Sequence, residues 1–446
     1  MVNCIILVLL CANLEATTIQ RGTYLSFQGT MVAAKGDPVE TRKAFKFDVV
    51  LAEMNAQGAL LDWSVKEEGR GGWPWPARFG QWQVDKKWQS EDDGPSLLYA
   101  RDDGQSVVPL LAPMFHTDEP LARDKTWTEG RLEFTVVGSE RLAGRSTWKV
   151  SVISPYGRNR ILWVDKESPL VVSLEETVFI GQGEQHQLKL ELTESKAIGN
   201  EPLAKYLDAR SALTDLRNQL KVESRSTNVV WNDEQINILK KQLPDVKKLA
   251  EGGPLSDIVR EAEADTKDQK NRTNTIAAMR KQIIGKQTPE FQMKSLTGDD
   301  VTHDSLSGST VVLHFWQYRD KPLEEPYGQV GYLDFLNRNS ESKKLKVFGV
   351  MVDDRLVETE TRQQAIVSAK KLHSFMNLSY PILLDRGEAI KSFGDPRLAG
   401  SKLPLYVVLG SDGKVLHYHA GFHEIDRDQG LKELKAVITR SLETVE

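Results

Sequence analysis

Between about Thr23 and Ser195, hydrophobic and polar residues alternate in run after run. Phe45, Phe47, Val49 and Leu51 form one such set, and Leu132, Phe134 and Val136 another. Trp148, Val150 and Val152, then Leu170, Val172 and Leu174, then Leu188, Leu190 and Leu192 repeat the pattern. A period of two puts each set on one face of a strand. Turn-forming clusters such as Asn55-Ala56-Gln57-Gly58, Gly138-Ser139-Glu140 and Gly181-Gln182-Gly183 separate the runs, so residues 23–198 are expected to form a mainly antiparallel sheet. Long strands on short turns imply a strongly curved sheet, a half-barrel or a sandwich, because a large flat sheet leaves one apolar face uncovered.

Residues 199–284 change period. Tyr206, Ala209, Leu213, Leu216 and Leu220 recur at three- and four-residue steps, as do Ile236, Leu239, Leu243 and Val246 behind the capping candidate Asn232. Gly252-Gly253-Pro254 breaks the pattern and a third helix follows, apolar at Leu255, Ile258, Val259 and Ala262 and again at Ile276, Met279 and Ile283. These stripes predict a helical connector that docks on the flanking domains or pairs with a second copy.

From Gly285 onward strands and helices alternate. Gly285-Lys286-Gln287-Thr288-Pro289-Glu290-Phe291 leads in, and Leu296-Thr297-Gly298-Asp299-Asp300 reads as a small hairpin. Leu306 to Trp316 is a β-branched and aromatic run that reads as a buried strand, Lys344 to Asp354 as the next, and Glu360 to Met376 as a helix. Tyr380-Pro381-Ile382-Leu383-Leu384-Asp385, Leu403-Pro404-Leu405-Tyr406-Val407-Val408-Leu409 and the turn Ser411-Asp412-Gly413-Lys414 complete the series. In this order the segments resemble the thioredoxin-like domains of the TlpA/ResA and redoxin (AhpC/TSA-type) family. The expected architecture is therefore a multidomain α+β chain. A signal-like segment at 1–22 precedes a curved antiparallel β domain at 23–198, a helical connector at 199–284 and an α/β thioredoxin-like fold at 285–446.

The resemblance implies a redox loop after the first core strand, where the family carries Trp-Cys-Pro-Pro-Cys. Here the stretch reads Phe315-Trp316-Gln317-Tyr318-Arg319-Asp320-Lys321-Pro322-Leu323, with Asp320 and Leu323 on the two cysteine positions and only the second proline kept. Anchoring on Glu325-Pro326 instead shortens the loop but restores no sulfur. The two cysteines of the chain are Cys4 and Cys11, so dithiol exchange lacks its thiolate and its resolving thiol. Asp320 with Pro322 reads as a helix cap rather than as an acid or base. The resemblance also implies a cis peptide before Pro404 and a groove beside it for extended polypeptide, lined by Trp316, Tyr318 and Asp320.

Composition narrows the picture further. A net charge of -5 gives no reason to expect nucleic acid as a partner. The uninterrupted apolar run Cys4 to Ala12 suits the core of an export signal and is shorter than the roughly 20 residues that span a bilayer. Met1-Val2-Asn3 supplies no basic residue, and Leu9-Leu10 before Cys11 does not suit lipid attachment. The expectation is an exported protein of the periplasm or cell envelope, without cofactor. It would bind an envelope protein or extended peptide at the thioredoxin groove, and an apolar ligand in the β domain. The competing expectation is a thiol-disulfide oxidoreductase that works with a partner's cysteines.

Three further features carry candidate chemistry. Val137 to Ala143-Gly144, leading into Ile161-Leu162-Trp163-Val164-Asp165 and Ser168-Pro169-Leu170, loosely resembles the half-barrel carriers of bacterial envelopes, whose concave face holds an acyl chain; a core filled by its own side chains is the alternative. Gly71-Gly72-Trp73-Pro74-Trp75-Pro76 must be a loop. Either it presents Trp73 and Trp75 to a ligand, or it is pinned down by burying them. His417 and His419 share a face of a strand and His423 follows a glycine, a spacing that suits a transition metal. No further ligand motif accompanies them, so they are expected to be solvated edge-strand histidines, with no metal assigned and His314 a core residue.

Overall fold

The computed structural model describes residues 19–36, 41–90, 94–101, 104–222, 226–227, 229–318, 329–339 and 344–443. Cys4, Cys11, Asp320, Pro322 and Leu323 lie outside them. The chain divides into two compact units, one ending at Lys267 and the other beginning at Asp268.

Twelve strands make up the β region of the first unit: β1 (Thr23–Ala33), β2 (Lys43–Asn55), β3 (Gly58–Gly69), β4 (Phe79–Asp85), β5 (Ser96–Arg101), β6 (Gly104–Pro109), β7 (Thr126–Glu129), β8 (Leu132–Leu142), β9 (Arg145–Ile153), β10 (Arg160–Asp165), β11 (Val171–Ile180) and β12 (Glu184–Ala197). Ten of them form one antiparallel sheet in the order β4-β3-β2-β1-β12-β11-β10-β9-β8-β7, while β5 and β6 pair with each other. The sheet is open, with β4 and β7 at its ends. Its curvature follows from its core: Phe47 and Val65 from one end, Val136 and Val150 from the other, and Leu97 and Val108 of the separate hairpin all belong to one buried cluster. Close packing is visible at Gly29, where a Cβ would fall 2.1 Å from the Phe45 ring, so only glycine lets that ring lie across β1.

Alternation decides which face each residue serves. Leu25 pairs with Val49 and both enter this core, whereas the neighbouring pair Tyr24 and Val50 points the other way into a second cluster. Three helices supply the rest of that second cluster: α1 (Asn200–Gln219), α2 (Asp233–Ala250) and the first part of α3 (Ser256–Ile283). Asn232 caps α2 as the sequence suggests, accepting from the Gln235 amide at 2.9 Å while the Gln235 side chain accepts from the Asn232 amide. The helical segment packs on the sheet. Its apolar stripes need cover, and the outer face of β1 and β2 provides it. The division between the units falls within α3, whose Ile276, Met279 and Ile283 pack in the second unit.

Neither Trp73 nor Trp75 is presented to solvent, each being 3 % exposed. Trp75 stacks on Phe79 with ring centroids 6.5 Å apart and meets Trp231 at 6.1 Å. The Trp73 amide donates to the buried Glu67 carboxylate at 2.7 Å. The loop is pinned, because hiding two large rings outweighs holding them ready in water. An apolar cavity of about 220 Å³ does open on the core side, lined among others by Met114, Phe115, Phe134, Leu162 and Leu190.

His186 on β12 is buried edge-on against the Tyr99 ring. Burial lowers its pKa below the ordinary 6.5. The unfolded chain therefore takes up this proton first, and the contribution of a neutral His186 is present above 6.5 and lost as pH falls below it. Melting curves are expected to move to lower temperature between about pH 7 and pH 5, and His186→Phe to flatten that slope. An unchanged slope in the variant would rule His186 out as the source.

The second unit holds β13 (Gln292–Ser295), β14 (Asp300–Thr302), β15 (Thr310–Trp316), α4 (Val330–Arg338), β16 (Leu345–Val352), α5 (Thr359–Phe375), β17 (Ile382–Asp385), α6 (Glu388–Phe393), β18 (Leu405–Leu409), β19 (Val415–Ala420) and α7 (Lys432–Glu443). The sheet order is β14-β13-β17-β16-β15-β18-β19, parallel across β17, β16 and β15 and antiparallel at β18 and β19. Residues of α6 and the end of α3 cover one face, and residues of α4, α5 and α7 the other. With both faces covered, β15 is buried along its whole length, which is why it reads as a continuous apolar run. This is the thioredoxin-like arrangement. Among the described residues, no helix is long and apolar enough to cross a membrane.

Candidate functional site

The described part of the site lies where β15 ends and β18 begins. Phe315 pairs with Leu405 across antiparallel strands, so Trp316 and Pro404 are neighbours at the same end of the sheet. The Leu403–Pro404 peptide is cis, and the Pro404 carbonyl accepts from the Gly421 amide at 2.8 Å. Trp316 is buried, and Tyr318 meets its ring edge-on at 6.4 Å. The Tyr318 carbonyl accepts from Arg355 at 3.3 Å, and Arg355 is clamped by the buried Asp353 carboxylate at 2.7 Å. Trp316, Tyr318 and Pro404 are thus gathered at one sheet end. Asp320, Pro322 and Leu323, the other residues expected there, are outside the described chain.

Beside this end lies a polar cluster that sequence reading did not anticipate. His314 of β15 pairs with Tyr406 of β18, and Tyr406 with His419 of β19, so three neighbouring strands set these residues in one row. The His314 and Tyr406 rings stack with centroids 4.6 Å apart. The Tyr406 hydroxyl donates to the Gln329 Oε1 at 2.7 Å, and that oxygen also accepts from the His423 amide at 3.1 Å. Gln329 Nε2 donates in turn to the His423 carbonyl at 2.7 Å. Gln329, just before α4, is fully buried with φ of 60°. It fixes the turn that carries His423.

The histidines depart from expectation. β19 is an edge strand, yet His417 and His423 are 2 % and 3 % exposed. Solvation of an edge strand concerns its open backbone, whereas His417 lies on the β19 face beside the cluster of Tyr406, Val408, Leu431 and Leu434, and His423, past the end of β19, packs against the Tyr406 ring. Burial drives His417 down to about 4 and His423 and His314 to about 3, so all three are neutral imidazoles at neutral pH. Burial also raises the Tyr406 hydroxyl above its ordinary 10.0, so it stays protonated as a donor. His314 is the core residue that the sequence suggests. Gln329 and Tyr406 carry no sequence signal, because their role depends on strand register and a loop conformation.

Residues 284–418 match the AhpC/TSA family. The thiol-disulfide oxidoreductase ResA of Bacillus thuringiensis subsp. konkukian is 26% identical over 161 residues, which is 36% of this chain and 79% of that protein. ResA of Bacillus anthracis is 26% identical over 142 residues, 32% of this chain and 72% of that protein. A crystal structure of a putative thiol:disulfide interchange protein DsbE from Chlorobium tepidum covers 36% of this chain and 97% of its own, with 24% identity and a TM-score of 0.27. These similarities concern the C-terminal region alone.

Proposed function

We propose that this is an exported protein of the cell envelope whose thioredoxin-like domain has lost its dithiol and serves as a binding or scaffold module. The observation that carries this reading is the position of the cysteines: both precede Ala12, so the domain that resembles ResA has no sulfur nucleophile of its own. What remains is the sheet end where Trp316, Tyr318 and cis-Pro404 meet; Trp316 and Pro404 are buried there, and an extended peptide of an envelope partner would dock against the half-buried Tyr318. The 220 Å³ cavity of the curved sheet offers an apolar ligand a separate place.

A second reading, thiol-disulfide exchange through a partner's cysteines, is favoured by the named activity of the ResA relatives. Turnover separates the two. Purified protein is expected not to reduce insulin disulfides with a thiol donor, nor to consume peroxide, whereas Asp320→Cys combined with Leu323→Cys is expected to gain disulfide reduction. Turnover by the unmodified chain would sink the binding-protein reading. Mass spectrometry of organic extracts tests the apolar ligand: a stoichiometric lipid supports it, and loss of that lipid in a cavity-filling Leu162→Trp variant locates it.

A further inference from the structure

We propose that His417, His419 and His423 bind a late first-row divalent metal ion, zinc or copper(II), through three imidazole nitrogens. The inference does not depend on the function proposed above.

Local structure brings the three together. His417 and His419 are two residues apart on β19 and so share a face. Gly421, at φ 98°, reverses the chain, and the Gln329 side chain grips both the amide and the carbonyl of His423, returning its ring to the other two. One ligand atom from each of the three histidines lies within 4.8 Å of the others. Nitrogens around a tetrahedral zinc at ~2.1 Å stand ~3.4 Å apart; the rings are stacked, His419 on His423 with centroids 3.9 Å apart, so binding requires them to turn until their lone pairs meet at one ion.

The polar atoms point to a ligand independently of this proximity. His417 Nε2 and both ring nitrogens of His423 are buried without a hydrogen bond. Buried polar atoms normally have partners, so the unpaired nitrogens on these two rings call for an explanation. A metal ion would engage one nitrogen of each, His417 Nε2 and His423 Nε2, since each neutral imidazole offers a single lone pair.

Neighbouring groups also select the ligating atoms. His419 Nε2 lies 3.2 Å from the Phe422 carbonyl, which can only accept, so Nε2 carries the proton and Nδ1 is free for the metal. His423 Nδ1 lies 3.5 Å from the Glu433 carboxylate, which leaves Nε2 to ligate. A carboxylate behind a ligating histidine is the usual outer support of such sites, and Glu433 offsets the positive charges of Arg280 and Arg440 near His417. Three imidazoles with no thiolate suit zinc, copper or nickel better than calcium or magnesium, and leave a coordination position for an exchangeable ligand.

The test uses the full chain without a histidine tag, carrying Cys4→Ser and Cys11→Ser to remove competing thiols, and stripped with EDTA. Equilibrium dialysis against zinc followed by elemental analysis is expected to give one ion per chain. Copper(II) is expected to give an electron paramagnetic resonance spectrum with nitrogen coupling. Glu433→Gln is expected to weaken zinc about tenfold, His419→Ala to weaken it further, and His303→Ala, outside the cluster, to leave it unchanged. His419 is only half-buried, so its variant is the one to rely on if His423→Ala does not fold, with circular dichroism as the check. Zinc is also expected to raise the melting temperature of the parent chain and not that of His419→Ala. Failure to retain zinc in stoichiometric amount, or equal affinity in the folded His419→Ala variant, overturns the proposal and leaves the rings as neutral packing.

Discussion

Replacing Lys43 with methionine is expected to destabilise the N-terminal unit by about 3–5 kcal/mol, the usual cost of leaving one partner of a buried ion pair alone. Lys43 of β2 pairs with Gly69 and Glu67 of β3 pairs with Phe45, so the two lie diagonally across the strands, with side chains fully buried and 3.0 Å apart. Burial pulls the Lys43 pKa below its ordinary 10.5 while Glu67 opposes that shift, so the ammonium depends on this one carboxylate. Lys43 also donates to the Gly71 carbonyl at 2.8 Å, and Glu67 accepts from the amides of Trp73 and Leu98. The pair therefore ties the tryptophan loop and the β5–β6 hairpin to the sheet. Methionine keeps the volume and strands the carboxylate. Hydrogen exchange read by mass spectrometry is expected to lose protection in residues 43–76 and 96–109, while 405–423 stay protected. Adding Glu67→Gln to the same chain is expected to recover only part of the loss: a neutral amide needs no counter-charge, but its NH2 cannot accept from the second of the two backbone amides that Glu67 holds. A loss below about 1 kcal/mol would mean that the pair behaves like a solvated one.

Gln329→Met is expected to cost about 3 kcal/mol or more, at ~1–3 kcal/mol for each buried polar group left unpaired. The Tyr406 hydroxyl and the amide and carbonyl of His423 all lose their partner. Methionine matches glutamine in length and is likewise unbranched at Cβ, so the left-handed backbone at this position bears on both alike. The loss is expected to be local: amide protection falls across β18, β19 and the turn to His423, and stays as it was in residues 43–69. The same variant is expected to weaken zinc, because His423 is no longer held facing His417 and His419. Unchanged protection at 405–423 would show that the turn is held by something other than Gln329.

Much of the fold is legible along the chain, for reasons that particular residues show. Phe45, Phe47, Val49 and Leu51 alternate because β2 buries one face in the curved sheet. Val311 to Trp316 do not alternate because β15 is covered on both sides. The site was legible only in part. The cysteine-free stretch at 315–323 can be seen at once, and the cis peptide before Pro404 is what the resemblance to the thioredoxin-like family implies. The grouping of His314, Tyr406, Gln329 and His423 cannot be seen, since those residues are far apart in sequence and meet through register and a turn.

Taken alone, the sequence determined the alternation of strands and helices, the ordered segments of the thioredoxin-like domain and the lack of a cysteine in residues 315–323. These are local or compositional properties, set by periodicity and by which side chains exist. Only the tertiary structure decided that Trp73 and Trp75 are buried, that α1 and α2 cover β1 and β2, and that His417 on an edge strand and His423 beyond it are buried beside His419. Burial and proximity depend on what packs from distant parts of the chain, and no window of residues contains that information.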